Sequence, residues 1–196
     1  MGTEIKTDRR ILRTREAINR AFLELFSAKE LEHITINDIA ERANVNRGTI
    51  YLHYSDKYDL LDKCIDEHLS KLITFCSHQG TESLVSSDLK PVFVYFEEHF
   101  LFFSAMLSNQ RTFSFRERLL HFVSANLRDK LDNLDDLDKQ NPQRGIDKEL
   151  NTQFMASAFL GIVEWWIRHR MPHSPEFMAD QVRKLFEKNE VYPGHA

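Results

Sequence analysis

The sequence contains few cysteines, glycines and prolines, and it has no long apolar run. Six glycines and five prolines among 196 residues favour a mostly helical chain with short connections. No stretch approaches the roughly 20 apolar residues that a membrane-spanning helix requires, and the charged N-terminal segment lacks the apolar core of a signal peptide. We therefore expect a cytoplasmic protein without a membrane partner, whose Cys64 and Cys76 remain reduced.

The motifs of common enzyme classes are also missing. The chain has no G-x-S-x-G, no P-loop, no H-E-x-x-H and no glycine-rich dinucleotide turn. A metal hypothesis rests on Cys64 and His68, four residues apart, followed by Cys76 and His78. No compact fourth ligand accompanies them, and the acidic segment 129–139 lacks the oxygen spacing and sharp Gly turn of a calcium loop. The sequence predicts neither an enzyme nor a bound metal or cofactor.

The net charge of −4 is unevenly distributed along the chain. Residues 1–20 carry six basic and three acidic side chains, whereas residues 129–139 carry five acidic and two basic ones. The basic residues open a helix predicted from Thr7 or Asp8 to Lys29. Its inner apolar stripe is Ile11, Ala17, Ile18, Phe22, Leu25 and Phe26. Nucleic-acid binding needs a local basic surface, so the acidic total does not exclude it.

Two short helical patterns separated by a tight turn follow in the segment 34–61. Thr35 and Asp38 have the spacing of a capping box at the start of the first helix. Its apolar face is predicted to be Ile36, Ile39, Ala40 and Ala43. Asn44 suits the left-handed conformation that ends a helix, and Asn46 suits the N-cap of the next one.

The second helix is predicted to run from Arg47 to His53, with Ile50 and Leu52 available to the core. Two helices of this size, joined by a turn of about three or four residues, form a helix-turn-helix.

The rest of the chain is also predicted to be mostly helical. A fourth helix, capped by Ser55, should follow from residue 56 to 76, and a linker should occupy 77–87. The next helix should have Asp88 as its N-cap and Pro91 in its first turn. Further helices are expected over 113–131, over 147–170 and from Pro175 onward, with a loop at Asn141, Pro142 and Gly145.

The helix-turn-helix segment resembles the DNA-binding segment of the TetR family of transcriptional regulators. The matching residues are T-x-x-D-I-A at 35–40, G-T-I-Y-x-H-Y at 48–54 and S-x-K-x-x-L-L at 55–61. Asn44 stands where the family usually has Gly, and Tyr54 stands where Phe is common. The resemblance covers roughly residues 8–70. The remainder is similar to the family only in length, helix pattern and aromatic richness.

The resemblance implies an all-α fold of about nine helices, with an N-terminal three-helix DNA-binding domain at 1–54 and a ligand-binding and dimerisation domain at 55–196. A homodimer would bind a palindromic operator in double-stranded DNA. The helix from Arg47 should enter the major groove, with Arg47 and Thr49 contacting base edges, while Tyr51, His53 and Lys57 hold phosphates. The full set of implied DNA-binding residues is Thr35, Asn46, Arg47, Gly48, Thr49, Tyr51, His53, Tyr54 and Lys57.

Large aromatic side chains are concentrated in the middle of the chain. Eight of the fifteen phenylalanines lie between residues 93 and 122, and Phe93, Phe96, Phe100 and Phe103 are spaced as one helical stripe. The rings form either a closed core or the walls of a cavity for an apolar or aromatic effector. The candidate ligand-binding residues are Phe96, His99, Phe100, Phe103, Phe113, His121, Met155, Phe159 and Trp166.

The helix predicted over 147–170 is apolar on two sides. One side carries Phe154, Gly161 and Trp165, and the other carries Met155 and Trp166. Such a helix must be covered on both sides, either within the chain or by a second copy, and the resemblance favours a homodimer. Gly161 would allow two helices to approach closely.

Three functions remain open at this point. The first is a repressor that a small apolar or aromatic ligand releases from DNA, through a shift of the fourth helix. The second is an activator or co-regulator that works through a protein partner. The third is a helical small-molecule carrier without regulatory DNA binding.

Overall fold

The structure, a computed structural model, describes the backbone of residues 2–77, 88–108, 113–137 and 147–188. Within these ranges every regular element is helical, and none of the helices is long and apolar enough to cross a membrane. A short 3-10 helix, Leu31–His33, lies between the first two α-helices. The α-helices are α1 Gly2–Ala28, α2 Ile36–Ala43, α3 Arg47–Tyr51, α4 Lys57–Ser77, α5 Lys90–Glu98, α6 Phe100–Ser108, α7 Phe113–Leu137, α8 Lys148–Arg168 and α9 Pro175–Lys188. The predicted all-α fold is confirmed.

The chain divides into two compact units, Met1–His68 and Leu69–Ala196, and the division falls inside α4. Compactness and the extent of a functional domain are different properties. The domain boundary expected between residues 54 and 55 therefore stays a prediction.

The core of the first unit forms where α1 packs against α2 and α2 against α3. Ile18, Phe22 and Phe26 are buried at helical spacing, and the last two rings stack at 5.7 Å. The helix begins at Gly2, earlier than predicted, because no residue between Gly2 and Asp8 breaks a helix. Ile11, expected in the inner stripe, is 42% exposed, since the described part of this unit does not cover the early turns of α1.

The second unit is built around aromatic rings. Within it α5 packs against α9, α7 against α8, and α6 against both α7 and α8. Ring pairs meet edge to face, as Phe96 and Phe103 do at 4.6 Å between centroids. The rings with almost no exposed surface are those of Phe93, Phe96, Phe102, Phe103, Phe115 and Trp166. Burying so much ring area supplies much of this unit's stability.

The predicted aromatic stripe is interrupted at His99. The backbone there has φ −110° and ψ 31°, so α5 ends at Glu98 and a separate helix begins at Phe100. The change of direction leaves Phe100 37% exposed instead of continuing the buried line of Phe96. Neither glycine nor proline marks the break, so the sequence signal for it is weak.

Several helix boundaries differ from the predicted ones. α7 continues to Leu137 instead of ending at residue 131, because the first proline after that point is Pro142. Asp147 is the N-cap of α8, with Oδ1 accepting from the amide of Leu150 at 2.9 Å. Pro175 opens α9, as predicted. The predicted linker, apart from Ser77, and the predicted loop with Asn141, Pro142 and Gly145 lie outside the described residues.

Caps at two other helix starts are shifted by one residue. Asp56, and not Ser55, caps α4, because its Oδ1 accepts from the amides of Tyr58 and Asp59 at 2.8 Å each. Asp88 accepts from the amide of Lys90 at 2.9 Å, whereas the formal N-cap of α5 is Leu89. Pro91 stands in the first turn of α5, as predicted.

Candidate nucleic-acid interface and ligand cavity

The start of α2 is fixed by a complete capping box. Thr35 Oγ1 accepts from the amide of Asp38 at 3.1 Å, and Asp38 Oδ2 accepts from the amide of Thr35 at 2.9 Å. Lys29 Nζ donates to the same carboxylate at 2.8 Å. This ammonium, followed by the amide of Thr35, lowers the pKa of Asp38 to about 2. The predicted capping box is confirmed, and Lys29 is a partner that sequence reasoning missed.

The turn between α2 and α3 has the predicted geometry. Asn44 lies in the left-handed region at φ 53° and ψ 47°, and the amide of Val45 donates to Ala40 O at 3.0 Å, as in a Schellman motif. Asn46 then caps α3, with Oδ1 accepting from the amide of Gly48 at 2.8 Å. A Cβ on residue 48 would lie 3.3 Å from that oxygen, so glycine lets the cap close tightly.

α3 presents a polar surface and one buried anchor. Arg47 and Tyr51 are exposed, and Ile50 is fully buried. Arg47 Nη2 donates to the Tyr51 hydroxyl at 2.9 Å, which aligns both side chains along the exposed side of the helix. Leu52, predicted for the core, is 80% exposed. Residues i and i+2 of a helical turn do not share a face, so Ile50 and Leu52 cannot both point inward.

Four more residues of the expected DNA-binding set are placed around α3. Gly48 and Asn46 are exposed at the start of the helix, and Thr49 and His53 are half-buried. Thr35 is exposed at the start of α2. The structure therefore brings the capped starts of both helices and the polar face of α3 into one small unit. Their contacts with DNA remain a prediction.

Tyr54 belongs to the core rather than to this surface. Its side chain is 2% exposed, and the hydroxyl donates to Asn19 Oδ1 at 2.8 Å. Burial raises the pKa of Tyr54, while a hydrogen bond with the Tyr54 side chain raises the pKa of Arg15. A ring this deeply buried has no surface to offer DNA, so its inclusion among the DNA-binding residues is corrected. It fixes α1 against the end of the helix-turn-helix.

Two lysines of α4 hold backbone carbonyls of the same unit. Lys57 Nζ donates to Leu31 O at 2.8 Å and to Glu32 O and Ile34 O at 2.9 Å each. Lys63 Nζ donates to His53 O at 3.0 Å and lies 2.9 Å from Asp59 Oδ2. The predicted phosphate contact of Lys57 thus competes with three hydrogen bonds inside the protein. Sequence reasoning missed them because their acceptors are backbone atoms more than twenty positions away.

Basic side chains of α1 divide into exposed and paired ones. Arg9, Arg10 and Arg13 are exposed. Arg20 is paired with Glu24 at 3.1 Å. Arg42 of α2 also contacts Glu24, at 2.7 Å, and its hydrogen bond is the main cause that lowers the pKa of that carboxyl. Arg9, Arg10 and Arg13 therefore place exposed positive charge in the first half of α1.

A cavity of about 60 Å³ lies in the second unit among α4, α5, α7, α8 and α9. Its walls are almost entirely carbon, and Asn126 is the one residue with a polar side chain among them. Asn126 Nδ2 donates to Phe122 O at 2.9 Å, which leaves the amide oxygen as an acceptor for another group. The lining residues are Leu72, Leu89, Val92, Phe96, Leu119, Phe122, Val123, Asn126, Leu127, Met155, Phe159 and Phe186.

Three of the nine residues predicted for a ligand site line this cavity, namely Phe96, Met155 and Phe159. Phe103 and Trp166 are fully buried in the ring core and are not part of its walls. Phe100 and His121 are exposed, because each lies on the outer face of its helix. The ring of His99 packs at 4.3 Å on Tyr95, and the side chain of Phe113 lies outside the described residues.

Most of the wall residues that sequence reasoning missed have one of two origins. Leu119, Phe122, Val123, Asn126 and Leu127 repeat at helical spacing on α7, a pattern that the sequence does contain. Leu72 and Phe186 come from helices distant along the chain, and no local pattern indicates that they meet at one cavity. The predicted polar contacts were His99 and His121, whereas Asn126 is the polar residue that lines the cavity.

The described residues include only part of the predicted metal-ligand set. No group of three or more potential ligand side chains comes together there. Cys64 is buried, and burial raises the pKa of its thiol to about 12. The side chain of Cys76 and all of His78 lie outside the described residues.

α8 presents an uncovered apolar face. Phe154 and Trp165 are 59% and 44% exposed, and Leu150 is exposed on the same line. Gly161 lies between them, and a Cβ built on it would meet nothing within 4 Å. The opposite side of α8, with Met155, Leu160, Val163 and Trp166, is buried in the second unit. The two apolar sides predicted for this helix are therefore present, and the described chain covers one of them.

A capped helix-turn-helix preceding an aromatic helical bundle is the architecture of a bacterial transcriptional regulator. Two family models match the chain: "Bacterial regulatory proteins, tetR family" over residues 18–64 and "Transcriptional regulator C-terminal region" over residues 86–188. The chain belongs to the TetR family of DNA-binding transcriptional regulators, which is a family of regulators and not of enzymes.

Similar proteins agree with this assignment. An uncharacterised helix-turn-helix regulator, YxbF of Bacillus subtilis, is 26% identical over 89% of this chain and 45% of its own length. A probable acrEF/envCD operon repressor of Escherichia coli is 33% identical over 33% of this chain and 34% of its own. The chain thus spans less than half of these relatives. The solved structure of Bacillus subtilis FadR in complex with stearoyl-CoA has a TM-score of 0.69 at 17% identity, covering 92% of this chain and 99% of that one.

Proposed function

We propose that this regulator is a homodimeric repressor that binds a palindromic operator in the cytoplasm and leaves it when a small apolar or aromatic ligand occupies the second unit. The observation that carries the proposal is the exposed polar face of α3 behind a fully capped turn. Arg47 and Tyr51 stand on that face, and buried Ile50 holds it in place. Such a helix is suited to the major groove.

The DNA contacts divide into two kinds. Arg47 and Thr49 contact base edges, since a guanidinium and a hydroxyl both hydrogen-bond to groups in the major groove. Tyr51 and His53 hold phosphates, and the free amides at the starts of α2 and α3 add dipolar attraction for the backbone. Exposed Arg9, Arg10 and Arg13 supply further positive charge. These phosphate contacts position the protein without selecting a sequence.

The dimer forms through the uncovered side of α8. Leu150, Phe154, Gly161 and Trp165 follow one another at spacings that keep them on one helix face. Trp165 stacks on His173 at 6.2 Å, and His173 packs on Phe177 of α9 at 4.5 Å. These contacts extend the exposed aromatic surface from α8 to α9. A glycine at the centre lets the equivalent helix of a second copy approach, and a two-fold axis would pair the face with itself.

The ligand binds in the cavity beside Phe96, Met155 and Phe159. Its walls contain no charged side chain, so the bound part of the ligand is uncharged and mainly apolar, with one group that hydrogen-bonds to Asn126. A volume of about 60 Å³ holds only a small apolar group, so a larger ligand must displace wall side chains. The long acyl chain bound by the similar FadR structure is a ligand of this chemical class.

α4 is the element through which the ligand acts. It carries Lys57 and Lys63 in the first unit and Leu72, a cavity wall, in the second. A ligand that displaces Leu72 shifts α4 and with it the position of the recognition helix α3. A difference in affinity of about 100-fold between the two arrangements, about 2.7 kcal/mol, is sufficient to change operator binding appreciably.

The proposal is tested by selecting duplexes from a random-sequence library with the purified protein. We expect an inverted repeat whose half-sites lie one helical turn, or a multiple of it, apart. Acyl-CoA thioesters of increasing chain length are then titrated against the selected duplex, and a reporter gene placed behind it separates repression from activation. If no inverted repeat is selected, the proposed operator binding is contradicted. If the protein stays bound to the duplex with every thioester and no thioester shifts its Tm, the proposed apolar ligand is contradicted.

A further inference from the structure

The ammonium of Lys57 is fully occupied by the protein backbone. It donates to three carbonyl oxygens, those of Leu31, Glu32 and Ile34, at 2.8 to 2.9 Å. An ammonium has three N–H donors, so this arrangement uses all of them. The ring of Tyr58 lies 5.4 Å from the same nitrogen and adds a cation–π contact.

One of these carbonyls belongs to the peptide that begins the capping box of α2. The oxygen of Ile34 accepts from Lys57, and the amide hydrogen of the same peptide, on Thr35, is donated to Asp38 Oδ2 at 2.9 Å. Asp38 is in turn paired with Lys29 at 2.8 Å. The peptide plane is therefore held from both sides, by α4 through its oxygen and by α2 through its nitrogen.

We propose that Lys57 is a positioning residue that fixes the start of α2 for DNA binding, and that it does not itself bind a phosphate. This inference rests on the proposed DNA-binding function. By anchoring the 3-10 helix Leu31–His33 and the Ile34 carbonyl, the ammonium sets the direction of the free amides at the start of α2. A phosphate contact by Lys57 would require it to give up its carbonyl partners, which would lose their strongest donor.

Two substitutions at this position separate the two roles. Lys57→Met keeps most of the side-chain length and removes the charge, whereas Lys57→Arg keeps the charge but replaces a compact three-donor group with a planar fork. The probe is a short duplex of random sequence, and its affinity is measured between about 50 and 200 mM salt. All variants are compared at a temperature where circular dichroism shows each of them folded.

The positioning role predicts that both variants bind the duplex about three- to tenfold more weakly, with the slope of log affinity against log salt unchanged. A phosphate-binding role predicts a slope that is smaller by about 0.9 in Lys57→Met and restored in Lys57→Arg. That second pattern, or unchanged affinity in both variants, overturns the proposal.

A double-mutant cycle with Asp38→Asn shows whether Lys57 acts through the capping box. If both residues hold the same peptide, the double variant loses clearly less affinity than the product of the two single losses. The matched control is Lys63→Met, which removes an equal charge from α4 but loses a contact to His53 O, away from the capping box. The fold loss of DNA affinity caused by Lys63→Met should be the same with and without Asp38→Asn. Independent behaviour of Lys57 and Asp38 also overturns the proposal.

Hydrogen exchange keeps this inference distinguishable from the proposed function. Lys57→Met should raise the exchange rate of the amides of Thr35 and Asp38 at least tenfold, while leaving the amides of α8 unchanged. This result does not depend on DNA. If the wild-type protein binds no duplex, the proposed function fails, whereas unchanged exchange at Thr35 and Asp38 refutes the anchoring by Lys57 itself.

Discussion

The substitution Gly161→Ala should affect the fold and the dimer in opposite directions. Within one chain the added methyl group meets nothing within 4 Å. Alanine in a helix interior is more stable than glycine by roughly 0.5–1 kcal/mol, so the single chain should gain about that amount in its free energy of unfolding. Nothing in the described fold of one chain therefore explains why a glycine stands at this position.

The dimer should lose more than the single chain gains. Adding methyl groups to a closely packed interface costs about 1–3 kcal/mol each, and a two-fold interface contains the substitution twice. At the lower end of this range, a loss of about 2 kcal/mol per dimer raises the dissociation constant roughly thirtyfold. Gly161→Leu should abolish the dimer and, because two half-sites must be bridged, weaken operator binding with it.

Sedimentation equilibrium over a range of protein concentrations measures the dissociation constant, and urea unfolding of the dilute protein measures the stability of the single chain. The matched control is Ser70→Leu, which adds apolar bulk at an exposed position of a different helix, α4. It should leave the dissociation constant unchanged. A Gly161→Leu protein that remains dimeric with normal operator affinity would place the interface elsewhere and refute the reasoning.

Three further substitutions test other parts of the molecule. Arg47→Ala should reduce the preference for the selected duplex over random DNA by about 1–3 kcal/mol, measured by competition binding; equal loss on both duplexes would exclude a base contact. Asp38 has its pKa lowered to about 2, so its carboxylate stabilises the fold fully above pH 3.8, and this stabilisation is lost as the pH falls toward 2. The difference in Tm between wild type and Asp38→Asn should be constant above pH 3.8 and shrink below it; a constant difference down to pH 2 would contradict the ion pair. Val123→Phe should fill the cavity and weaken release by acyl-CoA at least tenfold while operator affinity persists; unimpaired release would locate the ligand elsewhere.

The helix caps of the first unit could be predicted because they depend on near neighbours. Thr35 and Asp38 are three residues apart, and Asn46 acts on an amide two residues away. Asn44 takes the left-handed conformation because its short polar side chain can hydrogen-bond to the nearby backbone. Each of these choices follows from hydrogen bonds that close over one helical turn, so sequence spacing contains the information.

Contacts between distant segments could not be predicted in the same way. The partners of Lys57 are backbone oxygens, which carry no side-chain identity for a motif to record. Leu72 and Phe186 meet at the cavity only because α4 and α9 converge there. The break at His99 has the same origin, since tertiary packing of the rings and not a helix-breaking residue sets the direction of α6.

α8 illustrates a further limit, because hydrophobic periodicity cannot tell a core face from an interface. Met155 and Trp166 on one side and Phe154 and Trp165 on the other are equally apolar in sequence. The structure separates them, since the first pair is fully buried and the second is 59% and 44% exposed. An exposed aromatic face with a glycine at its centre is costly for an isolated chain in water. A second copy of the same face would remove both costs at once, because the rings would become buried and the missing side chain would become the point of closest approach.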